Sequence, residues 1–199
     1  EGLVEVALSL VADRPGARCA DLGCGSGAIG LSLALELPGS EVWLTDVSAD
    51  ALDVARANAA GIGRAAAGVR FGAGSWCDAL PSELRGGFDL ICSNPPYVAV
   101  DAPDLEPIVR EWEPHLALFG GEDGADALRV LISDAGGWLR PDGWLVMEIG
   151  SGQATAATAL AEGASGAPKV LAAALSQTGG SEAVVAGTIR SYAVTPAKL

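Results

Sequence analysis

The sequence predicts an α/β protein with a doubly wound, mostly parallel seven-stranded sheet whose last strand is antiparallel. Three observations carry that prediction. Strand-like and helix-like segments alternate, which favours a parallel sheet covered on both faces. A glycine-rich turn joins the first strand to the following helix. An acid closes each of the first two strands. In chain order, "EGLVEVALSLVA" (1–12) places Leu3, Val6, Ala7 and Leu10 on one helical face. "RCADLG" (18–23) is a short strand, and "GAIGLSLALELPG" (27–39) is a helix stopped by Pro38-Gly39. "EVWLTDV" (41–47) is a strand, and "ADALDVARANAAGIG" (49–63) is a helix with Ser48 as its N-cap. "GVRFGAG" (68–74) and "FDLICS" (88–93) are strands, the latter with Asp89 at its start. Residues 97–121 read as a long loop with prolines at 103, 107 and 114. "GADALRVLISDAGGWL" (124–139) is a helix weakened by Gly136-Gly137, and "GWLVMEIG" (143–150) is a strand. Beyond 150 the composition turns to Ala, Gly, Ser and Thr, with a helix expected around 168–177. "SEAVVAGTIRSYAVTP" is read as two strands of a terminal antiparallel hairpin.

The chain has 199 residues, half of them hydrophobic, which fits a single domain over 1–199. No apolar run is long enough to cross a membrane, and no leader pattern is visible, so a cytoplasmic protein is expected. Lys plus Arg number 12 against 25 Asp plus Glu, a net charge of −13. Such a chain is repelled by phosphate backbones, and no basic cluster offsets this. Nucleic acid is therefore disfavoured as a partner. Cys19, Cys24, Cys77 and Cys92 form no CxxC pair, and the chain has one histidine, so no metal site is expected. Thiols used as core filler suit a reducing compartment.

"ADLGCGSGAIG" (20–30) contains GxGxxG in Gly25, Gly27 and Gly30. That spacing serves either a tight strand-to-helix turn or a nucleotide-type ligand lying on bare backbone. The acids sharpen the choice. Asp46 stands about 20 residues on, where a carboxylate accepts from both ribose hydroxyls. A dinucleotide brings a pyrophosphate, which wants a helix N-terminus free of competing anions. S-adenosylmethionine (SAM) instead brings an ammonium and a sulfonium. Asp21, two residues before Gly23, suits that cationic tail directly or through water, so the loop Gly23, Cys24, Gly25 and Gly27 fits SAM better. Adenine is then expected near the end of the third strand, at "GAGSWCDAL". There Trp76 stacks on it or simply covers the core edge, and Ser75 or Asp78 meets its amino group.

The stretches "DLGCGSGAIGLSLA", "DVSADALDVARANA", "FDLICSNPPYV", "EWEPHLALFGGEDGADALRVL" and "LRPDGWLVMEIGSGQ" follow in order over residues 20–153. Together they resemble the class I SAM-dependent methyltransferases with an NPPY motif. More closely, the chain resembles the release-factor glutamine methyltransferases, which act on a glutamine side-chain amide of peptide chain release factors. NPPY is shared with adenine N-methyltransferases. Glu-Pro-x-x-Ala-Leu followed by Gly-Gly-x-Asp-Gly favours the glutamine branch. The resemblance implies a Rossmann-like fold, SAM as cofactor, and Val47 and Asn94 among its contacts. It implies Asn94, Pro95 and Tyr97 as catalytic residues, with Pro96 and Glu113 also facing substrate. The chain departs from the family in three places. The family's N-terminal helical substrate-recognition domain is absent from this chain, Ser75 replaces an acid, and the C-terminal "AVVAGTIRSYAVTP" lacks the usual Asp-Leu-x-Gly-Arg.

A carboxamide nitrogen is a poor nucleophile, since its lone pair is delocalised into the carbonyl. Methyl transfer from a sulfonium is an in-line displacement, so catalysis is positioning plus stabilisation of a nitrogen turning positive. Two acceptors aimed at its two N–H bonds achieve both. One is the Asn94 side-chain oxygen, and the other, as the resemblance implies, is the Pro95 carbonyl. Proline fixes φ, donates no N–H, and holds the preceding residue extended. Tyr97 offers an aromatic wall and a hydroxyl. No strong base is required, because the methylated amide loses its proton readily. Asn94 also has a plain reading as a strand-end cap. The acids at 101, 104, 106, 111 and 113 read as a solvated face, or as a dock for a basic partner. Two other functions fit the motifs: N-methylation of adenine or a small molecule, and a SAM-binding module without catalysis.

Overall fold

Helix α1 (Gly2–Val11) lays Leu3, Ala7 and Val11 against the sheet, one residue per turn, with Val6 and Leu10 partly buried beside them. The computed structural model describes residues 2–102, 105, 107–112, 114–150, 152–163, 169–175, 181–186 and 193–194. The strands are β1 (Arg18–Leu22), β2 (Glu41–Asp46), β3 (Val69–Ala73), β4 (Phe88–Ser93) and β5 (Leu139–Ile149). They run parallel in the order β3-β2-β1-β4-β5. Between them lie α2 (Ala28–Glu36), α3 (Ala49–Ile62), α4 (Pro107–Trp112), α5 (His115–Leu118) and α6 (Asp126–Ala135). Helix α7 (Ala154–Gly163) follows β5.

Strand alternation divides the core into two layers. Val42, Leu44, Cys19, Leu90, Cys92 and Val146 pack under α1, α2 and α3. Ala20, Leu22, Ile91, Leu145, Met147 and Ile149 pack under α6 and α7. This is the Rossmann-like arrangement expected from the alternating pattern. Every residue of β4 is buried, as befits a central strand covered on both faces.

At the N-terminal edge of the sheet, the buried carboxylate of Asp89 collects three donors. Arg14 Nη1 and Arg140 Nη1 each reach its Oδ1 at 2.8 Å, and the Arg18 amide donates to Oδ2 at 2.9 Å. One side chain thus joins the turn after α1 and the starts of β1, β4 and β5.

Several expectations are corrected. Residues 168–177, expected as a helix, hold β6 (Lys169–Leu175), parallel to β5. Alanine favours a helix, but pairing along six residues of β5 overrides so weak a preference. The expected loop at 97–121 contains α4 and α5, with Pro107 at the first position of α4 and Pro114 preceding α5. The helix expected over 124–139 stops at Ala135, just before Gly136-Gly137. Trp138 turns there and packs on Phe88 at 6.3 Å between ring centroids, so β5 begins at Leu139 rather than 143. Beyond β6, β7 (Ser181–Ala186) and the two-residue β8 (Ala193–Val194) pair antiparallel, bringing the sheet to eight strands against the seven expected. Among the described residues, no helix is long and apolar enough to cross a membrane.

Candidate active site

The C-terminal ends of β1, β2 and β4 meet at one edge, where open α/β sheets bind ligands. The loop after β1 is pinned from below. Gly30 N–H donates to Asp21 Oδ2 at 2.8 Å, and Cys24 N–H donates to the Thr45 carbonyl at 2.9 Å. A Cβ on Gly30 would stand 2.6 Å from Leu44 Cδ1, so only glycine lets α2 approach the sheet this closely. Gly25 differs. It takes a φ of 54°, and a Cβ there would meet nothing within 4 Å, so its backbone faces open space. Gly30 therefore serves packing, while Gly25 leaves bare backbone open to the exterior.

Asp21 is fully buried, with Oδ1 lacking any partner. Burial pushes its carboxyl up to about 7; the Gly30 N–H opposes this and the Asp46 charge adds to it. Asp21 thus lies beneath the loop, supporting the start of α2, rather than on the open side expected for contact with an ammonium. Asp46 is better placed. Its Oδ2 accepts from Gly25 N–H at 2.9 Å and its Oδ1 from Ser48 N–H at 2.8 Å. Both oxygens are oriented and keep lone pairs for further donors. Val47 beside it is 59% exposed, an apolar platform left open at the sheet edge. Ser48 caps α3 as expected, its Oγ accepting from Ala51 N–H. Trp76 has a φ of 45°, uncommon for a bulky residue. Its ring lies beside Gly23, where a Cβ would come within 3.2 Å of the indole. Ser75, which precedes it, is exposed.

Beside this loop, β4 delivers the Asn-Pro-Pro-Tyr segment. Ser93 is buried, and its Oγ donates to the Leu22 carbonyl at 2.7 Å. That bond ties the residue before Asn94 to the residue before Gly23. Asn94 is exposed, Pro95 buried, and Pro96 and Tyr97 half-buried. The Tyr97 hydroxyl lies 3.4 Å from Glu148 Oε1 on β5. Burial, then the Glu148 charge, pushes the Tyr97 phenol up, and burial also raises the Glu148 carboxyl. Beyond Tyr97 the chain is stapled to the end of α5, with Val98 N–H donating to the Leu118 carbonyl at 3.1 Å and Gly120 N–H to the Val98 carbonyl at 2.9 Å. Glu113, Asp104 and Glu106 lie outside the described residues; Asp101 and Glu111 are exposed. Sequence reasoning missed Ser93, Glu148 and Gln153, although the last two stand in the quoted "MEIGSGQ".

The open side of the loop suits a nucleoside: it presents an oriented strand-end carboxylate at Asp46, an apolar platform at Val47 and a bare glycine at Gly25. Fold and loop thus define the class, the SAM-dependent methyltransferases. Residues 5–111 match the family model described as the methyltransferase small domain, and the chain belongs to that family.

Relatives narrow the resemblance. The chain is 49% identical over 156 residues to a release factor glutamine methyltransferase from Xylella fastidiosa, covering 78% of this chain and 55% of that protein. It is 44% identical over 165 residues to a protein of the same name from Cereibacter sphaeroides, covering 82% and 56%. The chain therefore spans about half the length of the curated relatives it matches. Among solved structures, TrmN from Thermus thermophilus matches 93% of this chain and 45% of its own at 20% identity, with a TM-score of 0.52, a likeness of fold.

Proposed function

We propose that this chain is the catalytic domain of a SAM-dependent N-methyltransferase acting on a glutamine side-chain amide of a protein, a peptide chain release factor. The observation that carries the reading is the exposed Asn94 amide at the end of β4, fixed by the Ser93–Leu22 bond to the cofactor loop. Its neighbour Pro95 is buried, so the carbonyl of that residue belongs to a rigid segment. Two neutral acceptors suit an uncharged NH₂ group. They orient it, and they stabilise the positive charge that develops on the nitrogen.

When bound, SAM supplies an electrophilic methyl group on a sulfonium. Asp46 would hold its ribose, Val47 and Trp76 would flank its adenine with Ser75 at the rim, and the Gly23, Cys24, Gly25 and Gly27 backbone would carry its tail. Asn94 and the Pro95 carbonyl grip the substrate amide, with Pro96 and Tyr97 forming its wall. The reading takes residues 1–199 as one domain. The buried, free thiols of Cys19, Cys24, Cys77 and Cys92 support a reducing cytoplasm.

A protein substrate is favoured by the rim. Val100, Ile108, Trp112 and Leu116 are exposed, as are Asp101 and Glu111, all within the segment that follows Asn-Pro-Pro-Tyr in the chain. Such a segment receives a polypeptide carrying apolar and basic side chains. Trp112→Ala is expected to raise KM for the release factor about tenfold and leave kcat within about twofold, measured by steady-state transfer.

The direct test incubates the protein with methyl-labelled SAM and purified release factors, wild type and with the acceptor glutamine replaced. Label is expected in the wild-type factor alone. Label appearing instead in nuclease-sensitive material, or in neither, overturns the reading.

A further inference from the structure

The Gln153 side chain is spent entirely on backbone. Its Oε1 accepts from Gly150 N–H at 2.9 Å, and its Nε2 donates to the Tyr97 carbonyl at 3.1 Å and the Gly124 carbonyl at 3.0 Å. Its own carbonyl accepts from Ala157 N–H at 2.9 Å, so the residue sits fixed at the head of α7. Three segments distant in sequence thus meet on one amide: the end of Asn-Pro-Pro-Tyr, the glycine turn before α6, and the end of β5.

The glycine turn is shaped to admit this. Gly124 has a φ of 76°, and a Cβ there would stand 2.4 Å from the Tyr97 carbonyl oxygen and 2.9 Å from Gln153 Nε2. A Cβ on Gly120 would lie 2.5 Å from the Pro96 carbonyl oxygen, and one on Gly150 would lie 3.2 Å from the Tyr97 ring. The backbone of Pro96 and Tyr97 rests on glycines, and the Tyr97–Val98 peptide is held on both sides, its carbonyl by Gln153 and its N–H by the Leu118 carbonyl.

We infer that Gln153 is the positioning residue for the amide-gripping segment. Ser93 anchors that segment at its start through Leu22, and Gln153 anchors it at its end through the Tyr97 carbonyl. Between the anchors stand two prolines whose φ is fixed. With both ends held and the middle stiff, few backbone torsions remain to turn the Pro95 carbonyl away from the substrate nitrogen. Releasing the Gln153 anchor leaves the Tyr97–Val98 peptide held only through the Val98 N–H on the Leu118 carbonyl, and loosens the ψ angles of Pro95 and Pro96. The expected consequence is a misaimed acceptor, which costs rate more than affinity. This inference rests on the amide-methyltransferase reading.

The test compares Gln153→Ala and Gln153→Glu with wild type in methyl transfer to a release factor. Gln153→Ala is expected to lower kcat by about 10- to 100-fold, with cofactor affinity by calorimetry within about threefold. Amide hydrogen exchange at Gly150 should lose protection. Gln153→Glu preserves shape but, when ionised, turns an acceptor toward two carbonyls. It should be worse than Gln153→Ala near neutral pH and recover as acid protonates it, since a carboxylic acid regains a donor. A side chain that merely fills space would leave Gln153→Glu at wild-type rate at every pH, and that result overturns the inference. So does wild-type kcat in Gln153→Ala, or a parallel loss of cofactor binding and thermal stability in both variants. If wild type itself transfers nothing to the release factor, the functional reading has failed; if wild type and variants transfer alike, only this inference has.

Discussion

Asn94→Ala is expected to lower the proposed methyl transfer to a release factor by about 10²-fold or more, the scale seen when one preorganised polar group is removed from a transition-state site. The Asn94 side chain is exposed at the end of β4, whereas the bond between Ser93 Oγ and the Leu22 carbonyl is buried and independent of it. Removing the amide therefore deletes one acceptor without loosening the strand or the cofactor loop. On the proposed reading, the substrate nitrogen would keep the Pro95 carbonyl but lose the partner for its other N–H. That N–H gains acidity as the methyl bond forms, so the missing acceptor is felt most in the transition state. Cofactor affinity, measured by calorimetry without substrate, stays within about threefold. Transfer at the wild-type rate would remove Asn94 from the mechanism.

The second large effect is on stability and concerns Asp21. Its carboxyl is raised from an ordinary value of 3.8 to about 7, first by burial, with the Gly30 N–H opposing and the Asp46 charge adding. Between those values the folded protein holds a proton that the unfolded chain has released. Stability contributed by the neutral acid is complete below about pH 4 and is lost as pH rises through 7. Three pH units correspond to about 4 kcal/mol. Half-buried Glu148, also raised, acts in the same direction. Denaturant unfolding from pH 4 to 8 should show stability falling toward neutrality. Asp21→Asn, which keeps an acceptor for Gly30 but cannot ionise, should flatten most of that slope. An equal slope in wild type and Asp21→Asn would assign it to other groups.

The parts of the site legible in the sequence are those encoded within a few residues. The glycine loop, the Ser48 cap and Asn-Pro-Pro-Tyr each state a local backbone requirement in residue types suited to it. The doubly wound, mostly parallel class of the sheet followed from the alternation of strand and helix. What stayed hidden depends on distant partners. Ser93 finds Leu22 across 71 residues, Tyr97 finds Glu148 across 51, and Gln153 finds Tyr97 across 56. A serine, a glutamate and a glutamine carry no local signal that they will meet those groups. The strand at Lys169–Leu175 was missed for a related reason. Its alanines lack the alternation that marks a half-exposed strand, and its place is fixed by the open edge of β5. The end of α6 was misjudged because the pull of Trp138 into the core against Phe88 outweighs the helical pattern.

Asp89 marks the opposite rim of the sheet. Two arginines and a backbone amide converge there, far along the strands from Asn94. The molecule is riveted at one margin and performs its chemistry at the other. Changes that retune the acceptor, the rim or the cofactor loop therefore leave the rivet untouched, and damage to the rivet spreads through four chain segments before it reaches any catalytic group. A lineage descended from this fold is free to exchange one methyl acceptor for another while the sheet stays clamped.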